Sequence, residues 1–452
     1  MARALMIMAA LAFSAAPAQA ETITYSLLGD GGRAIVRAIA EPGACPSLLV
    51  DGAALPMSLR AAAGTVPART GGKQAETKPS VFPLQVCEAA LPAGARRASI
   101  DGRDVPVPSA QPQRIVLIGD TGCRMKQSED YFQSCEDGPA WPLARVARSA
   151  AALNPDLVVH VGDYHYRESP CAASQPGCAS SPWGYGFDTW RADVFDPLRP
   201  LLMAAPWVFT RGNHETCERA GQGWFRFLDA APWASTRSCD DPRFDHDADF
   251  SIPYAVPLGG GTQLVVFDSS HSRGQAYSET DADYQSYAPL LRQAESLAQT
   301  APHSIFVSHH PVLGLAPGAN AVPKASVQGL ASVMRGLNPG THFLPGFDLA
   351  LHGHVHLFEA LSFEGSLPAT LVVGNSSSAT EGALPTTLED GHLPYADTVI
   401  KNYATRSGFG FAMLERAAGA GWTVTEFDVN GQALFNCQLE GKNLSCKNAT
   451  SE

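Results

Sequence analysis

Short apolar runs that end in polar side chains recur along most of this chain. In residues 156–163 (DLVVHVGD), four apolar and mostly β-branched residues precede Gly162 and Asp163. Such a run is typical of a strand buried on both faces, and the glycine permits a turn that leaves the carboxylate at the end of the strand. The same pattern predicts strands at residues 114–120, 207–215, 263–270, 304–311, 349–356 and 370–378.

Helix-compatible segments lie between several of these runs, at residues 141–153, 284–299 and 326–336. Strands that alternate with helices predict an α/β fold, in which polar residues collect beyond the strand ends. Two long connections, residues 169–190 and 216–253, interrupt this alternation and are rich in Cys, Pro, Trp, Tyr and Asp. Connections of this length inside a compact domain are typically functional, so we expect them to border a site.

The N-terminal part of the chain has a different organisation. Residues 1–20 predict a signal peptide, because Arg3 is followed by an apolar run and then by the small-residue pattern AQA at 18–20. Residues 21–110 contain short apolar runs between Gly, Pro and Asp turns, which predicts a small β-rich domain. The stretch 106–113 (PVPSAQPQ) predicts a linker, and the main domain is expected at residues 114–446.

The leader determines how charge and cysteines are interpreted. Its apolar run is too short to span a bilayer, and no cysteine follows the cleavage site, so we expect a periplasmic or secreted protein without a membrane anchor. The formal net charge of −12 argues against nucleic acid as a partner. Ten cysteines in an oxidising compartment predict disulfides. Neighbouring cysteines suggest the pairs Cys45–Cys87, Cys123–Cys135, Cys171–Cys178, Cys217–Cys239 and Cys437–Cys446.

The polar residues beyond the predicted strand ends form a set with shared chemistry. Each one alone has an ordinary structural explanation, such as a helix cap. Together they offer carboxylate, phenol, amide and imidazole ligands at the same edge of a sheet, which predicts a metal site. The set consists of Asp120, Asp163, Tyr166, Asn213, His214, His309, His310, His354 and His356.

Seven of these side chains suit two metal ions that share one carboxylate. Two metals about 3.5–4 Å apart activate water and clamp an in-line displacement at phosphorus. His214 is left free to donate a proton to the leaving oxygen, a role that suits histidine because its pKa is ordinarily near working pH. The predicted ligands are Asp120, Asp163, Tyr166 and His356 for one ion, and Asp163, Asn213, His309 or His310, and His354 for the other.

The motifs GDTG, GDYHY, GNHE, HHP and GHVH, in this order, resemble those of the calcineurin-like metallophosphoesterases. More narrowly, they resemble the purple acid phosphatases, whose set is GDxG, GDxxY, GNH(D/E), VxxH and GHxH. Tyr166 is the discriminating residue, because most of the superfamily carries a histidine two residues after the first aspartate, where this chain has Gly122. The resemblance covers residues from about 114 to 358.

This resemblance implies a fold, a metal pair and a reaction. The fold would be a four-layer α/β/β/α sandwich, here preceded by the β-rich domain. The metals would be Fe(III) at the Tyr166 site and Zn, Fe or Mn at the other. The reaction would be hydrolysis of phosphate monoesters, with attack by a metal-activated hydroxide and with His214 as general acid. The expected partner is a small phosphate ester, and the sequence makes no prediction about oligomeric state.

Two departures from the family pattern keep alternatives open. VxxH fits residues 307–310, whereas the spacing HxP fits His309; we favour His309 as ligand and place His310 near the phosphate. Some members carry a further histidine shortly afterwards, but residues 311–320 (PVLGLAPGAN) have none. Phosphodiester cleavage is therefore the alternative reaction, and a non-hydrolytic metal-binding or redox role, which an intact His214 disfavours, is a third hypothesis.

Three arginines lie within four residues of the motifs: Arg124, Arg167 and Arg211. Guanidinium groups match the geometry of phosphate oxygens, so these residues are further candidates for binding substrate. The alternative for each is a structural ion pair.

Overall fold

The computed structural model describes residues 22–69, 76–319, 322–388, 398–417 and 421–449. The predicted signal peptide lies outside the described residues. Within them, the helices are α1 (Leu143–Ala152), α2 (Phe187–Trp190), α3 (Arg199–Leu202), α4 (Gly221–Phe227), α5 (Asp245–Ala248), α6 (Ala282–Ala298) and α7 (Gln328–Leu337).

The strands of the described residues fall into several sheets. They are β1 (Ile23–Leu28), β2 (Ala34–Ala40), β3 (Ser47–Val50), β4 (Ala53–Pro56), β5 (Ser58–Ala61), β6 (Gly64–Val66), β7 (Ser80–Phe82), β8 (Gln85–Ala90), β9 (Ala98–Ile100), β10 (Arg103–Val105), β11 (Arg114–Ile118), β12 (Met125–Lys126), β13 (Tyr131–Phe132), β14 (Leu157–His160), β15 (Trp207–Phe209), β16 (Tyr254–Gly259), β17 (Thr262–Val266), β18 (His303–Val307), β19 (Leu315–Pro317), β20 (Pro323–Ala325), β21 (Phe347–His352), β22 (Phe358–Phe363), β23 (Ala369–Val373), β24 (Ile400–Arg406), β25 (Gly410–Arg416), β26 (Trp422–Asp428), β27 (Ala433–Glu440) and β28 (Asn443–Asn448).

The largest sheet contains the first three motif strands at its centre. Its order is β28-β27-β26-β25-β11-β14-β15-β1-β2-β8-β5, and β11, β14 and β15 run parallel. The N-terminal strand β1 pairs in parallel with β15, so that Leu27 lies opposite Trp207. The β-rich region thus precedes the motif strands in sequence but extends the same sheet, while β10, β9, β3 and β4 form a smaller sheet.

A second sheet presents the later motifs. Its order is β16-β17-β18-β21-β23-β22-β24, with β17, β18, β21 and β23 parallel. All seven strands and all three helices that the apolar pattern predicts are present, although β15 already ends at Phe209. The residues predicted to continue this strand instead include a single 3-10 turn at Asn213–Glu215.

Side chains of the motif strands alternate between two cores, as the period of a strand requires. On β11, Ile115 and Leu117 pack between the two sheets, whereas Val116 and Ile118 pack outward in a cluster with α1. Helices α6 and α7 cover the outer face of the second sheet. These layers confirm the predicted four-layer α/β/β/α sandwich.

All five predicted disulfides are formed. Cys171–Cys178 and Cys217–Cys239 each close one of the two long connections, as expected. Five disulfides fit an oxidising compartment. Among the described residues, no helix has the length and apolar character needed to cross a bilayer.

Candidate metal centre

The two aspartates that follow β11 and β14 occupy unusual backbone conformations. Asp120 has φ 54° and Asp163 has φ 58°, in the left-handed region that non-glycine residues rarely adopt. Their loops are cross-linked, because Asp120 N donates to Gly162 O (3.0 Å) and Thr121 N donates to Asp163 O (3.0 Å). Such outliers persist where surrounding contacts fix them, and here they bring both carboxylates to one buried point.

The motif glycines are required by close packing around these aspartates. A Cβ at Gly162 would lie 2.5 Å from His309 Nδ1, and one at Gly212 would lie 2.1 Å from Asp163 Oδ1. Neither position can accept a side chain without displacing a candidate ligand.

Three candidate ligand atoms surround the phenol oxygen of Tyr166, itself a fourth. Its hydroxyl lies 3.0 Å from Asp120 Oδ1, 2.9 Å from Asp163 Oδ2 and 3.0 Å from His356 Nε2. His356 Nε2 is in turn 3.2 Å from Asp120 Oδ1. This is the first ligand set predicted from the sequence, brought together in one place.

A second group shares Asp163 Oδ2 with the first. His309 Nε2 lies 3.2 Å from that oxygen and 3.1 Å from Asn213 Oδ1. His354 Nδ1 is 3.0 Å from the same Asn213 oxygen. His354 is itself in the left-handed region, with φ 70°, and its N–H donates to Asp120 Oδ2 at 2.9 Å. The second predicted set also converges, with His309 in the ligand position.

The two histidines that present Nε2 are oriented through their other ring nitrogen. His309 Nδ1 lies 2.9 Å from Val161 O, and His356 Nδ1 lies 2.5 Å from Ala379 O. Because a carbonyl only accepts hydrogen bonds, Nδ1 carries the proton and Nε2 keeps its lone pair for a metal.

Both groups fit metal ions. Ligands about 2.1 Å from an octahedral ion lie about 3 Å from their neighbours, which matches the spacing of these donor atoms. Burial and the charges of Asp120 and Asp163 raise the pKa of the Tyr166 phenol well above its usual value. A phenolate there requires a strong positive charge, and a bound cation supplies one. Oxygen-rich and imidazole-rich sets such as these suit iron, zinc and manganese.

His214 stands beside both groups without joining either set. Its ring packs on that of Tyr166 (centroids 3.8 Å apart), and its Nε2 lies 3.8 Å from Asp163 Oδ2. Its Nδ1 is 2.9 Å from Glu168 Oε1 and 3.0 Å from His165 O. Both of these neighbours accept a hydrogen bond, whereas Arg219 Nη2, 2.5 Å from the same Nδ1, can only donate. Nε2 is the ring nitrogen directed toward the metal groups. Burial and the Arg219 guanidinium lower the pKa of His214 to about 4.

Glu168 and Arg219 are site residues that the sequence did not assign. Glu168 is fully buried, and Arg219 holds it through Nε at 2.7 Å from Oε1. Arg219 also donates from Nη1 to Asn213 O at 2.9 Å. Although burial opposes ionisation, Arg219 and His214 lower the pKa of Glu168, so this residue is a carboxylate. The only sequence signal was the position of Glu168, two residues after Tyr166.

Two further buried acids fix the loops. Glu215 accepts hydrogen bonds from the backbone N–H groups of Asp163, Tyr164, His165 and Gly212. Asp193, three residues after the first long connection, accepts from Tyr166 N (3.0 Å) and Cys123 N (3.1 Å).

The candidate phosphate-binding residues His310, Arg167 and Arg211 have different partners in the structure. Ring nitrogens of His310, His309 and His354 lie within 4.8 Å of one another, so His310 borders the second group. Arg167 Nε instead pairs with Asp193 Oδ1 at 2.6 Å, and its side chain is buried. Arg211 is also buried and pairs with Asp249 Oδ1 at 2.7 Å. These contacts correspond to the structural alternative for both arginines, because their guanidinium groups are committed to internal acids.

Known sequences identify the family to which this chain belongs. A family profile described as calcineurin-like phosphoesterase matches residues 113–358, more than half of the chain. The chain belongs to this family. Membership implies a phosphoric ester hydrolase, as the order of the motifs predicted. No match is found among curated protein sequences.

Two solved structures resemble this calcineurin-like phosphoesterase. A purple acid phosphatase, PPD1, from yellow lupin (Lupinus luteus) seeds is 15% identical with a TM-score of 0.51, and the match covers 91% of this chain and 72% of that one. PhoD is 14% identical with a TM-score of 0.52, and the match covers 98% and 94%. At such identities the similarity establishes the fold alone.

Proposed function

We propose that this chain is an exported, binuclear metal-dependent phosphatase that hydrolyses phosphate monoesters. The observation that carries the proposal is the convergence of seven donor atoms around the shared Asp163, with His214 packed on Tyr166. Five disulfides and the leader-like first twenty residues support export. The proposed partner is a small phosphate ester and not a nucleic acid.

Tyr166 supports Fe(III) at the first site, because a phenolate and two carboxylates are hard ligands that suit a trivalent ion. Zn, Fe or Mn is proposed at the second site, where an amide and two imidazoles join Asp163. Two such ions would lower the pKa of a bound water. They would also place positive charge next to the phosphoryl oxygens.

His214 is the proposed general acid. Its Nδ1 is fixed by Glu168 and His165, so the ring can present only Nε2 to a leaving oxygen. The proton comes from the imidazolium form, which the lowered pKa of His214 restricts to acidic pH. Delivered from Nε2, it would neutralise the alkoxide as the bond to phosphorus breaks. His310, beside His309 and His354, is proposed to contact a phosphoryl oxygen.

Phosphodiester cleavage is the second candidate, favoured by the absence of a histidine from residues 311–320. The experiment uses the mature protein, residues 21–452, with its disulfides formed and with iron and zinc supplied. We would measure kcat/KM for p-nitrophenyl phosphate and bis(p-nitrophenyl) phosphate from pH 4 to 9. Preference for the monoester is expected, and preference for the diester would transfer the proposal to the alternative. Turnover of neither by protein with both metals bound would favour a non-hydrolytic role.

A further inference from the structure

The three arginines near the motifs differ in what their guanidinium groups bind. Arg167 and Arg211 are buried and paired with internal carboxylates. The side chain of Arg124 is 22% exposed, and in the described part of the chain its guanidinium makes one hydrogen bond, from Nη2 to Glu129 Oε2 at 2.5 Å. Its Nε is buried and has no hydrogen-bond partner there. Exposure distinguishes Arg124, because the side chains of Arg167 and Arg211 are only 4% and 1% exposed.

Arg124 is fixed beside the first metal group by its backbone. The next residue, Met125, donates from N to Tyr166 O at 3.0 Å, and Glu168 N donates to Met125 O at 3.2 Å. On the other side, Gln133 N donates to Arg124 O at 2.8 Å. The first two hydrogen bonds hold residues 124–125 against the segment 166–168, which begins with Tyr166, a candidate ligand of the first metal group.

Lys126 places a second cation on the same face. Residues 124 and 126 flank the fully buried Met125, and alternate residues of an extended segment point to the same side. Lys126 Nζ lies 2.7 Å from Glu129 Oε1, so Arg124 and Lys126 share one carboxylate. Glu381 is a further acid whose charge reaches Arg124. The disulfide Cys123–Cys135 ties the segment that carries both cations to the body of the protein.

Glu129 can be replaced by an anion from the substrate. Its side chain is 37% exposed, and ion pairs at the surface contribute little because water and salt screen the two charges. The rest of a bound ester can hold an anionic group close to Arg124, and that group competes well against such a weak partner. It offers the two cations two oxygens in fork geometry.

We propose that Arg124, with Lys126 beside it, binds a second anionic group of the substrate, so that the preferred ester carries a carboxylate or phosphate near the phosphoryl group that is cleaved. This inference rests on the proposed function and specifies its substrate class. An ester without such a group makes no use of Arg124. Glu129 limits the preference, because it occupies both cations when no second anion is present.

The test compares three esters of one carbon skeleton: propyl phosphate, 3-phosphonooxypropanoate and propane-1,3-diol bisphosphate. Phosphate release by metal-loaded protein gives kcat/KM for each. We expect the wild type to prefer the two charged esters, and the difference between them identifies carboxylate or phosphate as the better second anion. Arg124→Gln should lower kcat/KM for the charged esters about 10–100-fold, the value of a hydrogen bond to a charged group, and change propyl phosphate less than about 3-fold.

Glu129→Gln should change the preference for charged esters in the opposite direction. Because it frees both cations, it should raise that preference several-fold. Lys126→Gln should lower that preference less than Arg124→Gln does. Arg243→Gln is the matched control, since it removes an exposed arginine paired with Asp241, and it should leave the preference unchanged.

Equal losses on all three esters in Arg124→Gln protein that retains its metals would overturn the substrate class. If Arg124→Gln protein does not fold, an unchanged preference in Glu129→Gln and Lys126→Gln protein would overturn it equally. Failure of the metal-loaded wild type to hydrolyse any of the three esters would contradict the proposed function instead.

Discussion

Replacing Glu168 by glutamine tests whether His214 acts as the general acid. The carboxylate of Glu168 lies 2.9 Å from His214 Nδ1, inside the protein and away from solvent. An amide keeps the size of the side chain but removes the charge that stabilises a protonated imidazole. A hydrogen bond to a charged group is worth about 1.5–3 kcal/mol, so we expect kcat to fall about 10–100-fold.

The dependence on the leaving group distinguishes this role from a structural one. p-Nitrophenolate leaves without a proton, whereas an alkoxide requires one. The loss in Glu168→Gln protein should therefore be several-fold greater for an alkyl phosphate than for p-nitrophenyl phosphate, both measured as kcat on metal-loaded protein. The matched control is Asp249→Asn, which weakens a different buried ion pair, that with Arg211. It should lower stability without changing the dependence on the leaving group. Equal losses on both esters in Glu168→Gln protein would refute the reasoning.

Three further predictions concern single side chains. His214→Ala should lower ester hydrolysis about 10²–10⁴-fold with unchanged metal content, and unchanged turnover would remove its proposed role. Tyr166→Phe should abolish the visible charge-transfer band of an iron–tyrosinate site, and a colourless, iron-free but active wild type would contradict the proposed Fe(III). Burial raises the pKa of Glu359 from its usual 4.5 to about 8, so its proton is held more tightly in the folded state and stability falls as pH rises between these values. From pH 5 to pH 8, urea unfolding of the wild type should lose about 3 kcal/mol relative to Glu359→Gln protein, and equal pH profiles would show that Glu359 does not titrate in this range.

The sequence predicted the parts of the fold that depend on local pattern. Apolar runs with polar ends identified the motif strands, because a strand between two layers must be apolar on both faces. The ligand set followed from the rule that the carboxyl ends of parallel strands share one edge. The prediction of Tyr166 and His309 as ligands came from the spacing of the family motifs, and it stays a prediction.

Long-range partners were beyond this kind of prediction. The pairing of β1 with β15 depends on which edge a distant strand reaches, and no local period encodes that choice. Arg219 meets Glu168 only because a long connection folds back over Tyr166, and Asp193 reaches the backbone of Tyr166 in the same way. Arg167 and Arg211 could be listed as phosphate ligands from spacing, but their acidic partners come from elsewhere in the chain.

The order of strands in the large sheet has a consequence for how the protein is made. The first motif strand, β11, lies between β14 and β25, and its Val116 pairs with Met413, almost three hundred residues later. A ribosome must therefore add almost three hundred further residues before the flank of the Asp120 loop can form. Contacts between such distant segments fold slowly, since a large loop must close first. We expect the large sheet to stay incomplete during most of synthesis, and metal capture to be one of the last events in maturation.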